Sequence, residues 1–467
     1  MTSIRFGRRT LLGATLALAA APAFARDADD TDWHALGDDV RAEMRWAWGQ
    51  YRDRAFGLDQ IRPISGGAEC FPLKAHHLGL TLIEAMDTLW VMGLDAEFAD
   101  ALAWTKTHLD FAIDGEVSVF ETSIRIVGGL LSAHHACGDP LLLAKARDMA
   151  DRLLPAFATP TGMPYRFVNL KTGAVRDAAT NPAEVGTFLP EWGTLSRLTG
   201  DPRYHDTTKR AAVALFDRRS TLDLLADTID ATTGRWLGRR ASVGSGADSY
   251  YEYLWDAWQL LGDADCKRMY DVCTAAILRH QQDERYGELW IADVDFETGA
   301  RVSTEQDELA AFYGGLLAQG GAREAGAAYT RSWAGVQHRF GILPESFDYA
   351  AARPTSVTNA LRPELADAAF NLWLLDRAPE WRRIGRDHFH AMKRWNRARY
   401  GYADIADVTA RPMLQADHCP AYWWSEQMKY YYLLFSDTPR FDYADNYLST
   451  EGNVLRGLRR PLAPAIG

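Results

Sequence analysis

The sequence predicts an all-α protein in which seven helical hairpins close into a ring, an (α/α)7 barrel. Three observations carry this. Fourteen helix-like segments follow one another along the 467 residues. They alternate in kind, one amphipathic and the next apolar or aromatic on nearly every side, as outer helices facing water and inner helices facing a core require. The alternation also keeps time: Gly138-Asp139-Pro140, Gly200-Asp201-Pro202 and Gly262-Asp263 recur 62 residues apart, each between two such segments. A fixed period marks a repeat architecture.

Taken in order, residues 1–25 are read as an export signal. Arg5, Arg8 and Arg9 precede an apolar run from Leu11 to Ala21, and Ala23-Phe24-Ala25 supplies a small-x-small cleavage pattern. Gly7-Arg8-Arg9-Thr10-Leu11-Leu12 also has the look of a twin-arginine signal, with the ordinary secretory route left open. The remainder, 26–467, is expected to be one domain, periplasmic or secreted, without a membrane anchor. Its segments fall near 33–56, 74–92, 97–113 and 120–138, with the fifth starting at Pro140, a good first-turn residue. The sixth is 182–199, and Pro202 restarts the seventh. Then come 247–261, 264–281, 305–319, 322–340, 363–376, 379–397 and 420–435. The long Gly-, Thr- and Asp-rich connections 158–181 and 222–246 are expected to cover one end and shape a pocket.

Composition narrows the function. The net charge of −11 and the absence of any Lys/Arg-rich run argue against a nucleic-acid partner. Sixteen Trp and nineteen Tyr are many; aromatic faces hold sugar rings, but helix packing accounts for most of them. The five cysteines, Cys70, Cys137, Cys266, Cys273 and Cys419, are odd in number and form no CxxC, so buried free thiols are expected. HExxH, GxSxG and phosphate-binding glycine loops are missing.

A second beat carries the chemistry. Glu121, Glu184, Asp248, Asp307, Glu364 and Glu426 lie 57–64 residues apart, each in an apolar, aromatic stretch. In a closed ring these acids face one end and line a pocket with carboxylates, which suits sugar hydrolysis or a hard metal ion. Glycoside hydrolysis needs two carboxyl groups, one protonated and one ionised. Each acid alone reads as a helix-start anion. Glu121 and Arg125, four apart on one helical face, read on this segment alone first as a structural ion pair. Thr450-Glu451 in a non-helical segment is either a cap or a source of oxygen ligands for calcium.

On these residues the chain resembles glycoside hydrolase family 47, the inverting, calcium-dependent class I α-1,2-mannosidases. The likeness runs from Leu82-Ile83-Glu84-Ala85-Met86-Asp87-Thr88-Leu89-Trp90 to Thr450-Glu451, with the family's segments in order. The resemblance implies an (α/α)7 barrel and a terminal α-1,2-linked mannose as substrate; separately, the chain is expected to be a monomer. It implies Glu121 as general acid, Glu364 as the base that activates water, and Asp248 as a third essential carboxylate. Thr450 matches the direct ligand of Ca2+, and Arg125, Glu191, Arg362, Tyr422, Glu426 and Glu451 match sugar- or water-holding positions. Departures are Glu308 where the family has His, Ala311 for a cysteine, Asp367 for Glu, Gly246 for an Arg of one subgroup, and Ala421-Tyr422-Trp423-Trp424 before Glu426. Two other readings stand beside it. One is a mannose-binding, lectin-like relative without turnover. The other is a toroidal epimerase or lyase using His76, His77, His134 or His135.

Overall fold

The structure, a computed structural model, describes residues 31–456 apart from 439, 443 and 444. The export-signal reading of residues 1–25 lies outside them. The chain separates into residues 1–32 and 33–467, and the helices belong to the second unit. Among the described residues they are α1 (Trp33–Ala55), α2 (Leu80–Val91), α3 (Asp95–His108), α4 (119–137), α5 (Pro140–Leu153), α6 (Leu189–Thr199) and α7 (Arg203–Phe216). The second half supplies α8 (248–261), α9 (Ala264–His280), α10 (Tyr313–Gln319), α11 (Arg323–Phe340), α12 (Glu364–Asp376), α13 (Pro379–Trp395) and α14 (423–435). The even-numbered helices touch in sequence, α2 to α4 and onward to α14, and α14 returns to α2. Each odd-numbered helix packs outside: α1 on α14, and α3, α5, α7, α9, α11 and α13 on the inner helix preceding each. This is the (α/α)7 barrel.

The two rings differ as their sequences require. On α13 only Trp381, Gly385, His388, Phe389 and Met392 are buried, a stripe at helical spacing. On α2 every residue from Leu80 to Leu89 is buried, Glu84, Asp87 and Thr88 included. The period-62 signal is the hairpin turn. Gly138, Gly200 and Gly262 end α4, α6 and α8 with φ of 72°, 70° and 76°. Asp139 then accepts the Leu141 N–H, and Asp263 accepts those of Asp265 and Cys266, to start the next helix. Eight of the sixteen tryptophans are almost wholly buried, and fourteen of the nineteen tyrosines are buried too, so most of these rings serve packing.

Several boundaries differ from expectation. The second helix starts at Leu80 rather than 74, because buried Asp59 takes the N–H groups of Leu78 and Leu80 and Gly79 turns at φ 68°. Segment 182–199 is two helices, Pro182–Gly186 and α6, broken at Thr187 and Phe188. Residues Glu305–Asp307 form a strand paired with Ser346–Asp348, followed by a 3-10 turn, Glu308–Phe312. The thiols are all free, but Cys137 is exposed and Cys70 half-buried. Three inner helices carry a π-turn: Ser123–Val127 in α4, Ala257–Leu261 in α8 and Trp423–Gln427 in α14. None of the described helices is long and apolar enough to cross a membrane.

A hairpin, Asn446–Leu448 against Val454–Arg456, reaches into the ring and packs on α4 and α6. Its position explains Gly128 of α4, and the close approach of α2 explains Gly129. A Cβ on Gly128 would lie 2.4 Å from Asn453 Nδ2, and one on Gly129 would lie 2.8 Å from Ile83.

Candidate active site

A cavity of about 160 Å³ opens among the N-terminal ends of the inner helices. Helix α4 contributes Phe120, Glu121, Ile124 and Arg125, and α8 contributes Asp248, Ser249 and Glu252. The turn before α10 adds Leu309 and Phe312. Helix α12 and the residues before it give Arg362, Pro363, Glu364 and Asp367. Tyr422 caps the start of α14, Glu426 and Tyr430 come from that helix, and the hairpin supplies Thr450 and Glu451. Acids recur here because helix N-termini present unpaired N–H groups and the positive end of the helix dipole. Seven carboxylates line the cavity against two guanidinium groups.

Arg125 is the hub on one wall. Its Nε donates to Glu121 at 2.7 Å, and its Nη1 donates to Glu84 at 3.3 Å and to Glu451. On the opposite side Arg362 pairs with Glu345 at 2.6 Å. The ring of Tyr422 serves both cations, its centre 5.5 Å from the Arg125 and 5.6 Å from the Arg362 guanidinium carbon. Leu361, just before Arg362, is buried with φ 54°, and its N–H goes to Asn359 Oδ1. Such a conformation persists only where surrounding contacts enforce it.

The turn bearing Thr450 is held from below. Lys429 is fully buried and donates to Asp87 at 2.7 Å and to the Gly452 carbonyl. Asp87 also accepts Ser132 Oγ at 2.6 Å and Val454 N–H at 2.8 Å. Asn453 Nδ2 donates at 2.8 Å to the Ile124 carbonyl, inside the α4 π-turn. Gly452 has φ 68°, and a Cβ there would meet the Ser425 carbonyl at 2.9 Å.

Burial sets the protonation of the acids. It pushes Glu364 up to about 8, opposed by Arg362 and reinforced by Glu345 and Asp248. Asp248 rises to about 7 by burial, against the Ser249 N–H, with Asp307 adding. Asp367 and Glu84 reach about 7, again chiefly through burial, with Glu121 adding to Glu84 and Arg125 opposing. Glu252, Glu426 and Glu451 are raised well above the carboxylate range by burial and by one another's neighbours. One oxygen of Glu364 is buried without a hydrogen-bond partner.

Of the residues singled out in the sequence, Glu121, Arg125, Asp248, Arg362, Glu364, Tyr422, Glu426, Thr450 and Glu451 share this cavity. Glu191 does not line it. It is buried beneath, accepts Tyr253 Oη at 2.7 Å, and is pushed up to about 8 by burial. Two members of the acidic beat lie elsewhere. Glu184 is taken by Arg166 at 2.6 Å, and Asp307 accepts the Ser245 N–H at 3.0 Å against Gly244. Connections 158–181 and 222–246 contribute no lining residue; their strands pair with Glu116–Ser118 and with one another. Gly246 stands at φ 85°, which explains glycine there. Glu308 is fully buried beside Glu345 and Glu364, accepts Asn359 Nδ2 at 2.8 Å, and is raised well above its ordinary range by burial. Glu252 lines the cavity as well, and Glu84 reaches it through Arg125; the sequence assigns neither a role of its own.

Comparison with known proteins agrees with this arrangement. Residues 43–457 match the model of glycosyl hydrolase family 47. Alpha-mannosidase I MNS5 of Arabidopsis thaliana is 35% identical over 449 residues, covering 90% of this chain and 77% of its own length. The mannosyl-oligosaccharide 1,2-alpha-mannosidase IB of Mus musculus is 33% identical over 461 residues, covering 93% of this chain and 72% of its own. The structure of an alpha-1,2-mannosidase from Trichoderma reesei superposes with a TM-score of 0.82 at 23% identity, over 90% of this chain and 99% of that one. A barrel with acids at the inner helix N-termini, matched along nearly its whole length, is that of a glycosidase: the chain belongs to glycosyl hydrolase family 47.

Proposed function

We propose that this enzyme removes terminal α-1,2-linked mannose from oligosaccharides, with inversion and with calcium. The observation that carries the reading is the convergence of seven carboxylates and two arginines on one cavity. Holding so many acids together is costly unless protons or a cation offset their charge. The names of the relatives supply the linkage and the sugar.

Roles follow from environment. Glu364, with one oxygen unpartnered, is the base that orients and deprotonates the attacking water. Asp248 is pushed up to about 7 by burial, whereas Glu121 is paired with Arg125 Nε at 2.7 Å. Asp248 is therefore the better holder of the proton delivered to the leaving oxygen, with Glu121 and Arg125 positioning the glycosidic bond. The donor set fits a hard cation: Thr450 offers hydroxyl and carbonyl oxygens, and Glu364, Glu426 and Glu451 stand around it to hold bound waters. Among the described residues no three of these carboxylates lie close enough to ligate one ion directly, consistent with a water-filled shell. When bound, the cation would supply positive charge that grips sugar hydroxyls and favours the carboxylate form of Glu364.

Proton NMR of the purified protein acting on α-1,2-mannobiose, with and without EDTA, tests the reading. β-Mannose appears first, and only with calcium. No turnover despite calcium-dependent binding would replace it with the lectin-like alternative. Glu364→Gln nearly abolishes turnover while retaining binding. Asp248→Asn recovers activity on a mannoside with an acidic aryl leaving group, which needs no proton; recovery by Glu121→Gln instead would reverse the two roles.

A further inference from the structure

The connection between α1 and α2 brings three donors of different chemistry together outside the lining of the carboxylate cavity. Cys70 Sγ lies 3.4 Å from His77 Nε2, and His77 Nδ1 lies 3.0 Å from Asp59 Oδ2. One ligand atom from each falls within 4.8 Å of the others, the one such group among the described residues. Asp59 is fully buried and fixed by the N–H groups of Phe71, Leu78 and Leu80 at 3.1, 2.7 and 3.0 Å. Cys70 and His77 are half-buried, so solvent reaches the open side of the group.

Two chemistries use such a set: a thiol activated by an imidazole, or a soft cation. The surroundings decide between them. Two carboxylates, Asp59 on the imidazole and Glu69 next to Cys70 in the chain, surround the group with negative charge, against an isolated thiolate nucleophile. A divalent cation answers the same negative charge and removes the thiol proton on binding. Ordinary zinc–sulfur and zinc–nitrogen bonds at a tetrahedral angle separate the two donor atoms by about 3.6 Å, close to the separation present. The Asp59 carboxylate on the other ring nitrogen is the usual outer partner of a metal-bound imidazole.

We propose that Cys70 and His77, with Asp59 orienting the imidazole, bind a thiophilic divalent cation of the zinc type at a site separate from the cavity of Thr450. On binding, the Sγ proton leaves to solvent, and the thiolate and Nε2 become ligands. The Asp59 N–H also approaches Nδ1, at 3.2 Å; ligation through Nε2 places the ring proton on Nδ1, where it is donated to Asp59 Oδ2. Water completes the shell. Phe71 follows Cys70 directly, and its ring lies 5.6 Å from the Arg125 guanidinium carbon.

Cobalt(II) is the probe, titrated into the full chain freed of metal and then saturated with calcium. A thiolate-to-cobalt charge-transfer band grows to one equivalent. Cys70→Ser abolishes it, and His77→Ala weakens cobalt binding by at least the roughly 10–100-fold that loss of an outer-shell partner costs. Cys137→Ser, which removes the exposed thiol, leaves the band intact. No band, a band surviving Cys70→Ser, or one lost with Cys137→Ser overturns the assignment. Should a variant fail to fold, alkylation of the unaltered chain decides: zinc must protect Cys70 and leave Cys137 reactive. This outcome is independent of turnover, so the site and the mannosidase reading fail separately.

Discussion

Replacing Lys429 by Met removes a cation with no solvent exposure whose ammonium lies 2.7 Å from Asp87. The methylenes are largely retained, so the change isolates the charge. Deleting one partner of a buried pair costs about 3–5 kcal/mol, because the other charge stays buried and uncompensated. Loss of the hydrogen bond to the Gly452 carbonyl adds about 1 kcal/mol. Asp87 keeps Ser132 Oγ and the Val454 N–H, which are too few donors to replace an ammonium. The Asp87→Asn/Lys429→Met double variant removes the stranded charge and should recover about 2 kcal/mol relative to the sum of the singles. Urea unfolding followed by far-ultraviolet circular dichroism measures all four corners of the cycle. Because the same ammonium ties down the turn bearing Thr450, calcium affinity should fall by about tenfold in Lys429→Met under conditions where it is still folded. A single variant as stable as the parent, or additive losses in the double, would refute the argument that this pair holds the turn.

Other outcomes follow from the same geometry. Gly452→Ala combines a positive φ with a 2.9 Å clash against the Ser425 carbonyl; melting should fall and calcium binding be lost, as calorimetry would show. Glu308→Gln should change stability by under about 1 kcal/mol, because the buried acid already holds a proton and accepts only from Asn359; urea titration checks this. Asp248 and Glu364 bind protons more tightly folded than unfolded, at about 7 and 8 against ordinary carboxylate values. Stability of the chelated protein should therefore decline as pH rises from about 5 to 8. Differential scanning calorimetry with and without calcium tests the sign, with calcium flattening the slope.

The helical ring was legible because its signals are local. A glycine that can adopt positive φ, followed by Asp or Pro, ends one helix and starts the next without reference to anything distant. The inner helices were legible for a related reason, since a segment buried on every side has no room for a polar stripe. The site was read in part. Glu121, Asp248, Glu364 and Glu426 fall at the mouths of inner helices, as the acidic beat predicts. Glu184 and Asp307 share the beat but are claimed by neighbours, Arg166 and the Ser245 N–H, whose proximity depends on loop folding. The late start of α2 was hidden likewise, being set by Asp59, some twenty residues upstream. The π-turns, which re-aim Arg125 and Glu426, break the 3.6-residue period and leave no trace in patterning.

The hairpin that carries Thr450 also imposes an order of events on synthesis. Every other wall of the cavity is encoded by residue 430, so a ring of helices can assemble while the chain is still emerging. In that interval Asp87, Lys429 and the Ile124 carbonyl face an empty slot where Val454, Gly452 and Asn453 will dock. The hairpin, made after the ring, is thus what completes the site, and a ribosome stalled before it would display a ring of helices without Thr450 and Glu451.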